Sequence, residues 1–154
     1  MSAKGELAYN YFCQGYNCSQ AIAAAFAPEM GLDAETAARL MSGFGGGMGR
    51  MREVCGTFSG IVAVVSQLYG YSDPKEQKGK TELYKKIQAL AEKFRADNGS
   101  IICRELLGLS APEGSPVPEA RTSEYYKKRP CPELCRYAAD ILDEFIKENP
   151  PVGA

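Results

Sequence analysis

Apolar residues recur along this chain at intervals of three and four, and strand-like alternation is almost missing, which predicts an all-α protein. Ala3 to Gln14 reads as a first helix stopped by Gly15. Asn17 is placed to cap a second from Cys18 to about Ala27, with Pro28 as its stop. In CSQAIAAAFA the residues Cys18, Ala21, Ile22, Ala25 and Phe26 share one face, so Cys18 is expected to point inward. Asp33 caps a short helix through Met41 with Ala37, Leu40 and Met41 as its stripe.

From Cys55 to Tyr69 the chain is apolar nearly all round, the signature of a central helix. The uncharged run from Val54 to Ser72 approaches membrane-spanning length, but Gly56, Gly60, Ser59, Ser66 and Gln67 interrupt it and no basic flank accompanies it. A core helix is the expectation, without membrane insertion. Asp73 and Pro74 form an N-cap and first-turn pair for a long amphipathic helix to about Asp97, with Leu83, Ile87, Leu90, Ala91 and Phe94 inward. Ser100 caps a short helix holding Cys103, which Gly108 stops. Leu109 to Arg129 reads as the longest loop, a flap over one end of the bundle. Pro130, Cys131 and Pro132 open the last helix, with Leu134, Ala138, Ile141, Leu142 and Phe145 as its apolar face. The whole, residues 1–154, is expected to be a single-domain helical bundle of about six helices.

Between the third helix and the central one lies a glycine-rich loop, in which Gly43, Gly45, Gly46, Gly47 and Gly49 fall within seven residues. Such density means a backbone that takes positive φ or lets something approach closely. GFGGGMGR lacks the Lys-Ser/Thr of a phosphate loop and no strand precedes it, so a nucleotide site is not favoured. Backbone N–H groups of Gly45, Gly46 and Gly47 are instead candidates to face cluster sulfides or a bound anion. Gly56 and Gly60 fit either a cofactor approaching the helix or tight helix packing. The same small-residue face, from Gly56 to Ala63, suits a homodimer contact.

Composition narrows the chemistry. The 154 residues carry a net charge of -1, which offers no general field for nucleic acid. No apolar leader precedes the first helical pattern, and the expected address is the cytosol. There is no histidine, which removes Ser-His-Asp and Cys-His catalysis and mixed Cys/His zinc sites. The six cysteines, 13, 18, 55, 103, 131 and 135, are in that setting thiols rather than permanent disulfides. Cys18, Cys55, Cys103 and Cys131 each stand at or near a helix start or inner face; a helix start exposes unpaired N–H groups that favour thiolate, and three of the four are placed to benefit. If those helix starts converge, the four make one thiolate site. A lone cysteine is more often an ordinary core residue, which is the reading for Cys13. Cys135 follows Cys131 by one helical turn and shares its face. Arg50 and Arg52 are expected in solvent, with the option of offsetting thiolate charge. Tyr125, Tyr126, Lys127, Lys128 and Arg129 read as a polar edge.

These residues resemble the C_GCAxxG_C_C family of redox-active proteins, small chains marked by four cysteines and a C-G-A-x-x-G motif. YNCSQAI carries Cys18, GFGGGMGRMREVCGTFSG carries Cys55, Gly56 and Gly60, CRELLG carries Cys103, and CPELCRYAADIL places the fourth at Cys131. Thr57 stands where the motif has alanine, which adds a hydroxyl beside the site. Cys13 and Cys135 look supernumerary, and Cys135 is an alternative to Cys131 as the fourth residue. The resemblance implies a helical fold and a redox role without an established substrate.

Three functions share these cysteines. In the first, Cys18, Cys55, Cys103 and Cys131 hold an iron-sulfur cluster that exchanges electrons with an unidentified redox partner. In the second, Cys55, its pKa lowered at a helix start, is the attacking thiolate of a thiol-disulfide oxidoreductase and another cysteine resolves. In the third, the four thiolates close round a structural zinc.

Overall fold

The computed structural model describes residues 2–109 and 114–152. Among them the chain forms nine α-helices and one 3-10 turn: α1 Ala3–Cys13, α2 Cys18–Ala25, α3 Ala27–Met30, α4 Ala34–Leu40, the turn Ser42–Phe44, α5 Gly56–Tyr69, α6 Gln77–Asn98, α7 Cys103–Leu106, α8 Ser123–Lys128 and α9 Cys131–Glu148. No strand forms among the described residues; the only pairing of that kind is an isolated antiparallel bridge between Val54 and Ile102. The all-α reading is correct.

α2 and α5 occupy the middle. α2 packs on α5, α4, α1 and α9, while α5 also meets α6 and α9. α2 is alanine-rich and buried on nearly every side, and α5 buries Phe58, Ile61, Val64 and Val65. Their close approach depends on Gly60, where a Cβ would lie 2.7 Å from Cβ of Ile22. Gly56 and Gly60, two members of the small-residue face read as a dimer contact, therefore pack on α2 of the same chain. α1 runs along α9, and α6 docks by Phe94, whose ring meets Phe58 and Tyr137 edge-on at 5.9 and 5.5 Å. No helix among the described residues is long and apolar enough to cross a membrane.

The caps show where local sequence decided the structure. Asn17 and Gln20 form a reciprocal capping box at α2, and Asp33 accepts from the N–H of Thr36 at 2.7 Å to start α4. Gly15 and Gly99, with φ of 113° and 90°, end α1 and α6 as expected.

Elsewhere tertiary or local chemistry overrode the expectation. Pro28 opens α3 instead of stopping α2, because a proline has no N–H to lose in a first turn. α6 begins at Gln77, not Pro74: Glu76 accepts from the N–H of Gly79, and Asp73 spends its carboxylate on the N–H of Lys75 in a local turn. Ile102, not Ser100, is the N-cap of α7, since the Ser100 hydroxyl accepts from the N–H of Ile102 and donates to Glu105. The stretch read as one long loop contains α8, capped by Thr122; its residues 110–113 lie outside the described set. Leu40 is 66% exposed, because the inward face of α4 runs through Ala37, Ala38 and Met41.

Candidate functional site

The four cysteines singled out by sequence stand at the starts of four helices. Cys18, Cys103 and Cys131 are the first residues of α2, α7 and α9, and Cys55 is the N-cap of α5. These starts converge, and all four thiols line one cavity of about 70 Å³. Cys131 is partly exposed and the other three are buried; none is in a disulfide. Two supports fix their positions. Around the bridge at Val54, the N–H of Cys55 donates to the carbonyl of Ile101 at 2.7 Å, and that of Cys103 to Glu53 at 2.6 Å, so two cysteine-bearing segments are zipped side by side. At Gly56 the missing side chain admits a neighbour, for a Cβ there would stand 2.4 Å from Sγ of Cys18.

The glycine loop supplies the remaining wall. Gly46, Gly47, Met48, Gly49 and Arg50 take φ of 66°, 70°, 68°, 56° and 61° in succession, and Arg52 follows at 60°. A left-handed conformation costs a non-glycine residue roughly 1–2 kcal/mol, so Met48, Arg50 and Arg52 are strained positions. Most N–H groups of the loop are used internally; those of Met48, Gly49, Arg52 and Glu53 donate to carbonyls of Phe44, Gly43, Gly46 and Gly47. Gly46 is the member that faces a thiol: burial raises the pKa of Cys18, and the Gly46 N–H is the strongest influence pulling it back towards the thiolate.

The predicted glycines therefore divide. Gly46 and Gly56 line the thiol cavity, and Gly45 lines the wider one outside it, with the side chain of Asn17 where its Cβ would be. Gly47 and Gly60 line neither and are packing positions, Gly47 behind Cys103 and Gly60 against Ile22.

Arg52 overturns a solvent expectation. Its left-handed backbone turns the side chain inward, where it is 6% exposed with Nη1 3.7 Å from Sγ of Cys103. Arg50 instead ties the loop to the stretch before α8 by donating to the carbonyls of Ser115 and Val117. Tyr125 and Tyr126 are not a polar edge either. Both pack on Phe12 and beneath the Arg121 guanidinium, and Tyr125 lines the thiol cavity. Arg121 donates to the carbonyls of Phe12 and Tyr16 at 2.9 and 3.0 Å. Nothing in its sequence context distinguishes it.

Electrostatics reverse one premise. A helix start was expected to lower the pKa of Cys55, yet burial pushes that thiol up to about 12, reinforced by Cys18 and opposed by the Thr57 hydroxyl, 3.1 Å from Sγ. Burial likewise raises Cys131 to about 12, with Cys18 and Cys103 adding to it and Arg129 and Arg52 pulling the other way. Thiols whose pKa is raised by folding contribute stability that is complete below the unfolded value, near 9, and is lost as pH rises towards 12. Cofactor-free protein is accordingly expected to lose melting temperature steadily from pH 9 to pH 11; a flat profile over that range would contradict the burial of these thiols.

Cys135 is fully buried one turn behind Cys131 and does not line the cavity, so Cys131 is the member that faces the other three. Cys13, read as a core residue, is exposed instead and lines neither cavity. Among the described residues no three cysteine or carboxylate groups are placed to hold a single metal ion. The thiols share a chamber without converging on one point.

No curated protein and no solved structure matches this chain. A family model does, over residues 16–145, from just before Cys18 to beyond Cys131. The chain thus belongs to the C_GCAxxG_C_C family, described as "Putative redox-active protein (C_GCAxxG_C_C)".

Proposed function

We propose that this protein is a cytosolic electron carrier whose Cys18, Cys55, Cys103 and Cys131 hold an iron-sulfur cluster. The observation that carries the reading is the shared cavity: four thiols from four helix starts, with no carboxylate among its lining residues. Such a donor set suits iron and sulfide rather than hard cations. Four sulfurs round one zinc, bonded at about 2.3 Å, must crowd to within about 4 Å of one another, whereas a cluster spreads its iron atoms and takes thiolates held farther apart. That favours a cluster over a structural zinc. The bound cluster supplies one-electron exchange.

The surrounding residues do the rest. Arg52, buried beside Cys103, is a fixed cation that offsets thiolate charge and so eases the deprotonation that ligation requires. The N–H of Gly46 and the hydroxyl of Thr57 favour the thiolates of Cys18 and Cys55. Phe12, Leu106 and Leu134 wall the cavity with apolar surface and limit water.

Protein purified without oxygen is expected to contain iron and acid-labile sulfide in equal amounts, with visible charge-transfer absorption. Colourless protein with freely titrating site thiols would instead favour thiol-disulfide exchange. Because hydrogen bonds to cluster sulfurs raise the reduction potential, Thr57→Ala is expected to lower it by about 50 mV, roughly a tenfold change in a one-electron equilibrium. A potential unchanged in a redox titration of that variant would remove Thr57 from the tuning groups.

A further inference from the structure

A second, wider cavity of about 380 Å³ adjoins the thiol cavity, and Cys131 is the only one of the four site thiols that lines both. It is also the only one of the four that is partly exposed. Cys18, Cys55 and Cys103 keep 8%, 5% and 8% of their surface, and Cys135 keeps none. The site thiols are therefore unequal in access: one faces an outer chamber and three lie behind it.

One wall of the outer chamber is an exposed strap outside any helix, residues 114–122, which contributes Pro116, Pro118, Glu119 and Arg121. Three clasps hold the strap in place. Arg50 donates to the carbonyls of Ser115 and Val117, Glu119 pairs with Arg129 at 2.5 Å, and Arg121 donates to the carbonyls of Phe12 and Tyr16. A wall tied down at three points makes the chamber a preformed space. Its volume lies within the usual range for small-molecule sites, roughly 300–1,000 Å³, and a folded protein is too large to enter it.

We propose that Cys131 is a site of reversible S-thiolation, reached through the outer chamber by a small water-soluble disulfide. The thiolate of Cys131 attacks one sulfur of the disulfide, whose S–S bond breaks as the new one forms. The other half leaves as a thiolate and takes up the proton that Cys131 gave to water. Cys131 is thereby oxidised to a mixed disulfide, and the departing half is reduced to a thiol. Burial raises the Cys131 thiol to about 12, which slows the attack without preventing it, because a thiolate of high pKa is intrinsically the stronger nucleophile. A modified Cys131 cannot ligate, so S-thiolation and occupation of the four-thiol site exclude each other. That consequence rests on the proposed function; the modification itself does not.

The test treats the full-length protein, prepared free of metal, with 2-hydroxyethyl disulfide as the small probe and with a polymer-linked disulfide too bulky for the chamber, at one mildly alkaline pH. Initial rates at each cysteine are read by peptide mass spectrometry, with exposed Cys13 as the internal standard. The small disulfide is expected to modify Cys131 at least tenfold faster than Cys18, Cys55 or Cys103, while the bulky one modifies Cys13 and spares Cys131. Pro118 is exposed and lines only the outer chamber, and Pro118→Trp is expected to slow modification of Cys131 at least fivefold while Cys13 is unaffected. Should that variant fail to fold, the comparison of the two reagents on the unaltered chain decides. A buried site thiol modified as fast as Cys131, equal access for the bulky reagent, or a Cys131 rate untouched by a folded Pro118→Trp would each overturn the proposal.

Discussion

Serine in place of any one of Cys18, Cys55, Cys103 or Cys131 is expected to abolish stable cluster content in protein purified without oxygen, while Cys13→Ser leaves it unchanged. The four site thiols line one cavity, so no other described cysteine replaces a lost member from within that cavity. Cys135 is the nearest test of that statement. It is fully buried one turn behind Cys131 but outside the cavity lining, and Cys135→Ala should retain the cluster at a stability cost of about 1 kcal/mol for a lost buried sulfur. Iron and sulfide analysis of the six single variants checks the set. Retention of a full cluster in Cys131→Ser, with loss in Cys135→Ala, would exchange the roles of those two residues.

The second large effect belongs to Gly47. A Cβ at this position would stand 2.6 Å from Cα of Arg52 and from N of Glu53, and 2.7 Å from Cβ of Cys103, while φ is 70°. Backbone cannot give way as a flexible side-chain tip does, and the left-handed conformation penalises alanine independently of space. Gly47→Ala is expected to destabilise the protein by about 3 kcal/mol or more, near the upper end for single substitutions. For a chain of this size that lowers the melting temperature by roughly 6–12 °C. Because the clash falls on the segment that carries Arg52 and on Cys103 itself, cluster content should fall as well. By contrast, Gly49→Ala meets open space and carries only the penalty of its φ of 56°, about 1–2 kcal/mol. Thermal unfolding of both variants separates the two causes; equal, small shifts would remove the packing argument for Gly47.

Much of this arrangement was legible before any coordinates. Hydrophobic periodicity located the central helix and the long amphipathic ones, and the caps at Asn17 and Asp33 are local chemistry that a few neighbouring residues decide. The four cysteines were legible for a different reason: helix starts and motif resemblance marked them, although their convergence is a property of packing. What stayed hidden depends on contacts distant in sequence. Arg52 reads as a surface charge until the left-handed run of the loop turns it towards Cys103. Arg121 sits in a proline-rich stretch with no periodicity, and only the approach of α1 brings Phe12 and Tyr16 to it. The helix-start argument for a lowered thiol pKa was sound in its direction yet too small: it acts over the first turn, typically at 1 kcal/mol or less, whereas removal from water costs several kcal/mol per ion. Gly60 shows the same limit, since nothing local distinguishes a glycine that admits Ile22 from one that admits a cofactor.

On the proposed function these four cysteines form one redox centre working by single electrons. A redox titration of anaerobically purified protein, followed by low-temperature electron paramagnetic resonance and by electron counting, decides between one-electron and two-electron chemistry. A paramagnetic cluster signal is expected that appears and disappears reversibly with one electron per chain and is absent from Cys55→Ser. Uptake of two electrons per chain with no paramagnetic species, accompanied by the appearance of two free thiols, would contradict it and make the site a dithiol-disulfide couple.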